Sequence, residues 1–181
     1  MIKIAITGPE SSGKSTLTKL LADYFQAPWC PEYSREYFKK HNINYSLADV
    51  ITINEMQLAR FYELVSISQN ERIVFADTEA IVNRVWAEER FGFCPPEIRK
   101  TTCTAPFHLY LLCYPDIPWE YDPLREDEGN RINLFEHYVD LLNKIGANYY
   151  VIKGDGEQRI KNALRALFLN FGNELKPSKV I

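Results

Sequence analysis

Cysteine is sparse. The four thiols, Cys30, Cys94, Cys103 and Cys113, form neither a C-x-x-C pair nor the spacing of a small disulfide-stapled domain, so they are expected to be buried and reduced. Histidine is sparser still. His41, His108 and His137 stand far apart, with His108 placed to open a core strand. Without an H-E-x-x-H pair, a Cys/His cluster or a G-x-S-x-G turn, zinc chemistry and serine hydrolysis find no support. An excess of positive charge is missing too: 21 Lys+Arg against 24 Asp+Glu give a net charge of -3. That balance offers no global pull toward nucleic acid or an anionic membrane, so any phosphate must be held by a local site. Long apolar runs are absent. No stretch approaches the ~18 residues of a membrane span, and the opening run Met1–Thr7 is too short for a signal peptide. The expectation is a cytoplasmic chain without nucleic-acid or membrane partners. Repeats and low-complexity segments are absent as well.

What is present suffices for one core. With 181 residues and 46% hydrophobic residues, the chain fits a single domain with, at most, an appended lid. Ile2–Thr7 is apolar and β-branched with little alternation, which predicts a central strand covered on both faces. From Lys14 the apolar spacing turns helical and stops before Pro28. A short strand over 27–30, a helix over 34–40 and a long helix capped by Ser46 are expected next. They precede a strand over 72–76 and a helix over 78–90. Pro95-Pro96 opens a further short helix, and 108–114 reads as a fourth strand. Residues 115–130 change texture, with three prolines and the run Arg125-Glu126-Asp127-Glu128, and read as a solvated lid. A helix from Ile132 to Ile145, a strand over 149–152 and a last helix ending near Phe171 complete the pattern. Alternating strands and helices require crossovers, hence an α/β fold with a mainly five-stranded parallel sheet between two helical layers.

Gly8-Pro9-Glu10-Ser11-Ser12-Gly13-Lys14-Ser15 fits G-x-x-x-x-G-K-[ST] and sits between a predicted strand and a predicted helix, the context this phosphate loop needs. Gly8 and Gly13 let successive N–H groups face inward, and the helix adds its positive end. Lys14 can reach the outer phosphates, the Ser15 hydroxyl can ligate Mg²⁺, and Thr16 supports the next phosphate. ATP is expected rather than GTP, since neither N-K-x-D nor D-x-x-G occurs.

Two carboxylate positions stand near this loop. Asp77 ends the apolar strand Ile73–Ala76 and can hold Mg²⁺ directly or through water; the alternative is a helix N-cap for the segment from Thr78. In Pro31-Glu32-Tyr33-Ser34-Arg35-Glu36-Tyr37, at the carboxyl edge of the sheet, Glu32 can orient or accept an acceptor hydroxyl's proton. Tyr33 and Arg35 can hold a polar substrate, or the charges form a solvated, salt-bridged helix start. Arg125 and Arg131 follow the fourth strand, where a closing lid can bring guanidinium groups onto a transferring phosphoryl group; Arg125 can equally pair with the acids after it. Trp119 and Tyr121 serve either as lid packing or as an aromatic wall.

The phosphate loop, Pro-Glu-Tyr-Ser-Arg-Glu-Tyr, Phe-Ala-Asp-Thr-Glu and Pro-Trp-Glu-Tyr-Asp-Pro-Leu-Arg followed by Arg131 and Phe135 together resemble a known family over nearly the whole chain. It is the ribosylnicotinamide kinase domain of the bifunctional nicotinamide-mononucleotide adenylyltransferase/ribosylnicotinamide kinase proteins. The resemblance implies a P-loop nucleoside-kinase-like fold and Mg-ATP phosphorylation of the ribose 5′-hydroxyl of nicotinamide riboside. It equates Gly8–Thr16 with the family's phosphate loop, Asp77 with its strand-end acid, and Arg125 and Arg131 with its lid-region arginines. Glu32, Tyr33, Arg35 and Glu36 match its E-Y-x-R-E stretch, and Glu32 is also similar to the acid that serves as base in deoxynucleoside kinases. The family's H-x-G-H is lacking, so dinucleotide synthesis by this chain is not expected. Pro31 replaces an aromatic residue, leaving Trp29 as the candidate to stack on a pyridine ring. The family's D-T-D becomes D-T-E, ending in Glu79. Alternatives are a kinase for another nucleoside or small alcohol, and an ATP-dependent switch that binds a partner.

Overall fold

The computed structural model describes residues 1–41, 44–122 and 128–175. Five parallel strands form one sheet in the order β2-β3-β1-β4-β5, with β1 Ile2–Thr7, β2 Trp29–Cys30, β3 Ile73–Asp77, β4 Leu109–Cys113 and β5 Tyr149–Ile152. The crossovers supply α1 Lys14–Phe25, α2 Tyr33–Lys40, α3 Leu47–Ile67, α4 Ala80–Phe91, α5 Pro96–Thr104, α6 Arg131–Lys144 and α7 Gly156–Phe171. Strand β1 is central because it is apolar on both faces. Ile2, Ile4 and Ile6 meet α1 and α7 on one side, while Ala5 meets the layer containing α4 and α6 on the other. A parallel sheet covered on both faces needs such runs, and β3 and β4 are likewise buried along their length.

The strand order puts the switch between outgoing crossovers at β1 and its neighbours. The carboxyl ends of β1, β2, β3 and β4 therefore converge at one edge of the sheet, where doubly wound folds bind ligands. Most predicted boundaries shift by a residue or two. The third strand runs one residue further, to Asp77, and α4 starts at Ala80 rather than Thr78. Thr78 has a left-handed φ of 77°, incompatible with a first helical turn, so Glu79 becomes the N-cap and accepts from the Ile81 N–H at 2.7 Å. Of the thiols, Cys30, Cys94 and Cys113 are buried, whereas Cys103 is exposed.

Ser46 caps α3 as expected, its N–H donating to the Asp49 carboxylate at 2.7 Å in a capping box. After Cys113 the chain leaves the sheet and crosses the carboxyl edge without regular structure as far as Asp122. Arg125 lies outside the described residues.

Candidate active site

The phosphate loop starts where β1 stops. Gly8 has φ 132°, and a Cβ there would lie 2.7 Å from the Cys113 carbonyl oxygen. Any side chain would push the loop off the end of β4. Gly13, φ 78°, caps α1 without a side chain, so the first-turn N–H groups are left to meet an anion. Ser12 Oγ donates to the Pro9 carbonyl at 2.7 Å and cinches the loop. The Lys14 ammonium donates to the carbonyls of Gly8 at 2.8 Å and Pro9 at 2.9 Å, which holds it at the loop's mouth.

The loop is braced from behind and from above. From behind comes Arg159, on the first turn of α7 and only 5% exposed. Its guanidinium donates to the carbonyls of Ser12, Gly154 and Tyr114 and pairs with Asp116. From above, Arg131 at the start of α6 donates to the carbonyls of Ser11, 3.2 Å, and Ile117, 3.0 Å. The Glu120 N–H donates to Ser11 Oγ at 3.0 Å. The segment after β4 thus rests on the phosphate loop.

Asp77, 2% exposed, ends β3, and its Oδ1 has no hydrogen-bond partner among the described residues. Burial and the nearby Glu32 charge push its carboxyl up to about 6, against the Ser15 hydroxyl and the charges of Lys14 and Arg35. Asp77 caps no helix, because Glu79 does. Glu32 lies half-buried at the start of α2, accepting from the Ser34 hydroxyl at 2.7 Å and facing Arg35 at 3.4 Å. Arg35 reaches on to Asp122 at 2.9 Å and links α2 to the segment after β4.

Phosphate loop and Glu32 open into one cleft of about 430 Å³. Gly8–Thr16, Glu32, Ser34 and Arg35 line it together with Val82 and an aromatic wall of Phe38, Tyr45 and Trp86. The wall is an aromatic cluster built from three elements. Tyr45 lies 4.8 Å from Trp86 and 5.7 Å from Phe38, ring centre to ring centre, and its hydroxyl accepts from Trp86 Nε1 at 2.8 Å. Trp29 and Tyr33, expected to touch substrate, and the acid Glu79 are not among the residues lining this cleft. Trp29 faces the α1 and α7 side of the sheet, with the Lys19 ammonium 5.9 Å from its ring centre. Tyr33 lies under the Arg60 guanidinium, 4.3 Å away. Glu79 is buried in its capping role and also accepts from the Thr7 hydroxyl at 2.9 Å.

The chain is similar to known proteins. The family described as AAA domain matches residues 3–159 of the chain. The chain belongs to the AAA domain family. Among curated relatives, the trifunctional NAD biosynthesis/regulator proteins NadR of Salmonella typhimurium and Escherichia coli are each 30% identical over 128 residues, 67% of this chain. The matched part is 30% of each relative's length. A crystal structure of NadR with NAD and AMP-PNP superposes with a TM-score of 0.78 at 27% identity, covering 93% of this chain and 49% of that one. NadR with NR gives 0.79 at 26%, covering 94% and 50%. Thymidylate kinase from Ehrlichia chaffeensis, at 16% identity and a TM-score of 0.67, shares the fold over 93% of this chain. The fold of this AAA domain is that of the P-loop kinases.

In the AAA domain two features escaped the sequence reading. The aromatic wall needs Phe38, Tyr45 and Trp86 brought together from separate helices and a loop, which no local pattern announces. Arg159 left a faint signal, a charge on the otherwise small and apolar buried stripe Ala163, Ala166 and Leu167 of α7.

Proposed function

We propose that the chain is an ATP- and Mg²⁺-dependent kinase that phosphorylates the 5′-hydroxyl of nicotinamide riboside. The observation that carries the reading is that one cleft is lined together by the phosphate loop, the Glu32 carboxylate and the aromatic side chains of Phe38, Tyr45 and Trp86. Adenine-nucleotide phosphates would be gripped by the N–H groups of the loop and by Lys14. A flat, polarisable ring fits against Trp86, Tyr45 and Phe38, and a ribose attached to it then points toward Glu32 and the loop. Glu32 would accept a hydrogen bond from the attacking hydroxyl and orient it. Arg131 can place positive charge beside the loop as charge spreads over the transferred group.

The donor set fits magnesium. Asp77 offers a buried oxygen without partner, and the Ser15 hydroxyl interacts with the same carboxylate. These two would hold the ion, which when bound neutralises charge on the β- and γ-phosphate oxygens. NadR relatives, whose solved complexes contain NR or AMP-PNP, support the substrate pair. A coupled ADP-release assay over a panel of ribosides tests the reading. Release should depend on nicotinamide riboside; release dependent only on another nucleoside would replace the acceptor, and release indifferent to every riboside would overturn the kinase assignment.

A further inference from the structure

Helix α3 buries Val50, Ile53 and Phe61 together with two amides, Asn54 and, three residues on, Gln57. Gln57 is 3% exposed. A primary amide is tolerated in such a place when its donors and acceptor are used. Gln57 Oε1 accepts from the Tyr33 N–H at 2.7 Å. Its Nε2 faces the carbonyls of Pro31 at 3.3 Å, Asp77 at 3.4 Å and Thr78 at 3.2 Å. The Cys30 sulfur lies 3.7 Å away.

These partners sit at the exits of two neighbouring strands. Strands β2 and β3 pair at Trp29–Phe75 and Cys30–Ala76, and no ladder contact joins them beyond that point. Glu32 and Asp77 lie beyond it. One amide therefore bonds the residues flanking Glu32 on both sides, together with the peptide carbonyls of Asp77 and Thr78. The turn at Thr78 is held from the β1 side by its N–H, which donates to the Ile6 carbonyl at 3.1 Å, and from the α3 side by Gln57. The Thr78 φ of 77° is unfavourable for a β-branched residue, and the Thr78 Oγ1 is buried without a partner among the described residues.

We propose that Gln57 is a positioning residue that takes over from the sheet where the β2–β3 ladder ends and fixes the spacing between the Glu32 and Asp77 carboxylates. This assignment rests on the kinase reading, but its test is separable. Gln57→Leu removes every bond of the amide, whereas Gln57→Glu keeps the acceptor for the Tyr33 N–H. Calorimetry with ATP alone and with Mg-ATP measures the metal-dependent gain in affinity, and steady-state assays with the riboside measure kcat and KM.

In the Leu variant ATP affinity without metal should stay within about twofold, while the metal-dependent gain falls about tenfold, the KM for Mg-ATP rises in step with that loss, and kcat falls roughly 10- to 100-fold with the riboside KM within about twofold. The Glu variant should fall between it and the wild type. A purely structural role would instead lower the melting temperature and leave both quantities within about twofold per folded molecule; that result overturns the assignment. If the Leu variant does not fold, the Glu variant is judged by the same two readings. A wild type that phosphorylates no riboside removes the kinase reading, and the metal-dependent gain still decides Gln57. A wild type showing neither quantity overturns both.

Discussion

Asp77 shows how a buried carboxylate weakens the fold that carries it. Its carboxyl titrates near 6, above the ordinary value of 3.8, chiefly because burial disfavours the charge. The folded protein thus binds the Asp77 proton more tightly than the unfolded chain does. The stability this confers is complete below about pH 4 and is lost as pH rises toward 6. Above that pH the native state holds an ionised, incompletely partnered carboxylate. We predict that Asp77→Asn is more stable than the wild type at pH 8, on the order of 2 kcal/mol, and indistinguishable from it at pH 4. Urea unfolding at the two pH values is the check. Transfer should be abolished in the same variant, and Mg²⁺ should stabilise only the wild type in the presence of ATP. Lys14→Ala should keep the fold and lose about 10³-fold in kcat/KM, since a charge-assisted contact to the outer phosphates disappears. Single-turnover kinetics on folded protein would show it.

At the scale of elements, the segment after β4 is tied to its surroundings unequally. Its root is anchored through Asp116 and the Tyr114 carbonyl to buried Arg159, which also holds Ser12. Farther along, Asp122 meets Arg35, whose side chain is 44% exposed. An exposed pair contributes about 1 kcal/mol at most. Asp122→Ala should therefore raise the riboside KM no more than about fivefold and leave the KM for ATP alone. Arg159→Met should behave differently, because it strands several buried carbonyls at once. We expect a loss of roughly 3 kcal/mol or more in denaturant unfolding together with weaker ATP binding. Element types were legible in the sequence because apolar periodicity is a local property: β1, α3 and α7 announce themselves. The start of α4 was not, since it depends on a left-handed Thr78 that no propensity favours. Trp29 shows the same limit in a strand. Adjacent strand residues face opposite sides, and a two-residue strand carries too little alternation to reveal which side Trp29 takes.

For the whole molecule, the phosphate loop could be placed from sequence because glycine spacing and the strand-to-helix context are dictated by backbone geometry. The aromatic wall could not, because Phe38, Tyr45 and Trp86 become neighbours only once α2, the loop before α3, and α4 pack. Ligand binding should be visible in global stability. ATP with Mg²⁺ at about a hundred times its dissociation constant should add about 2.7 kcal/mol, a rise of several degrees in melting temperature. GTP at the same concentration should add much less, and equal shifts would remove the adenine preference.

Gly8 has its backbone pressed against the Cys113 carbonyl. Evolution has little latitude at that joint: even one methyl would pry the nucleotide-gripping turn from the neighbouring strand. Because Arg159 ties that turn and the root of the covering segment into a single block, the distortion would reach both together. A Gly8→Ala protein should look sound to circular dichroism and yet be deaf to nucleotide.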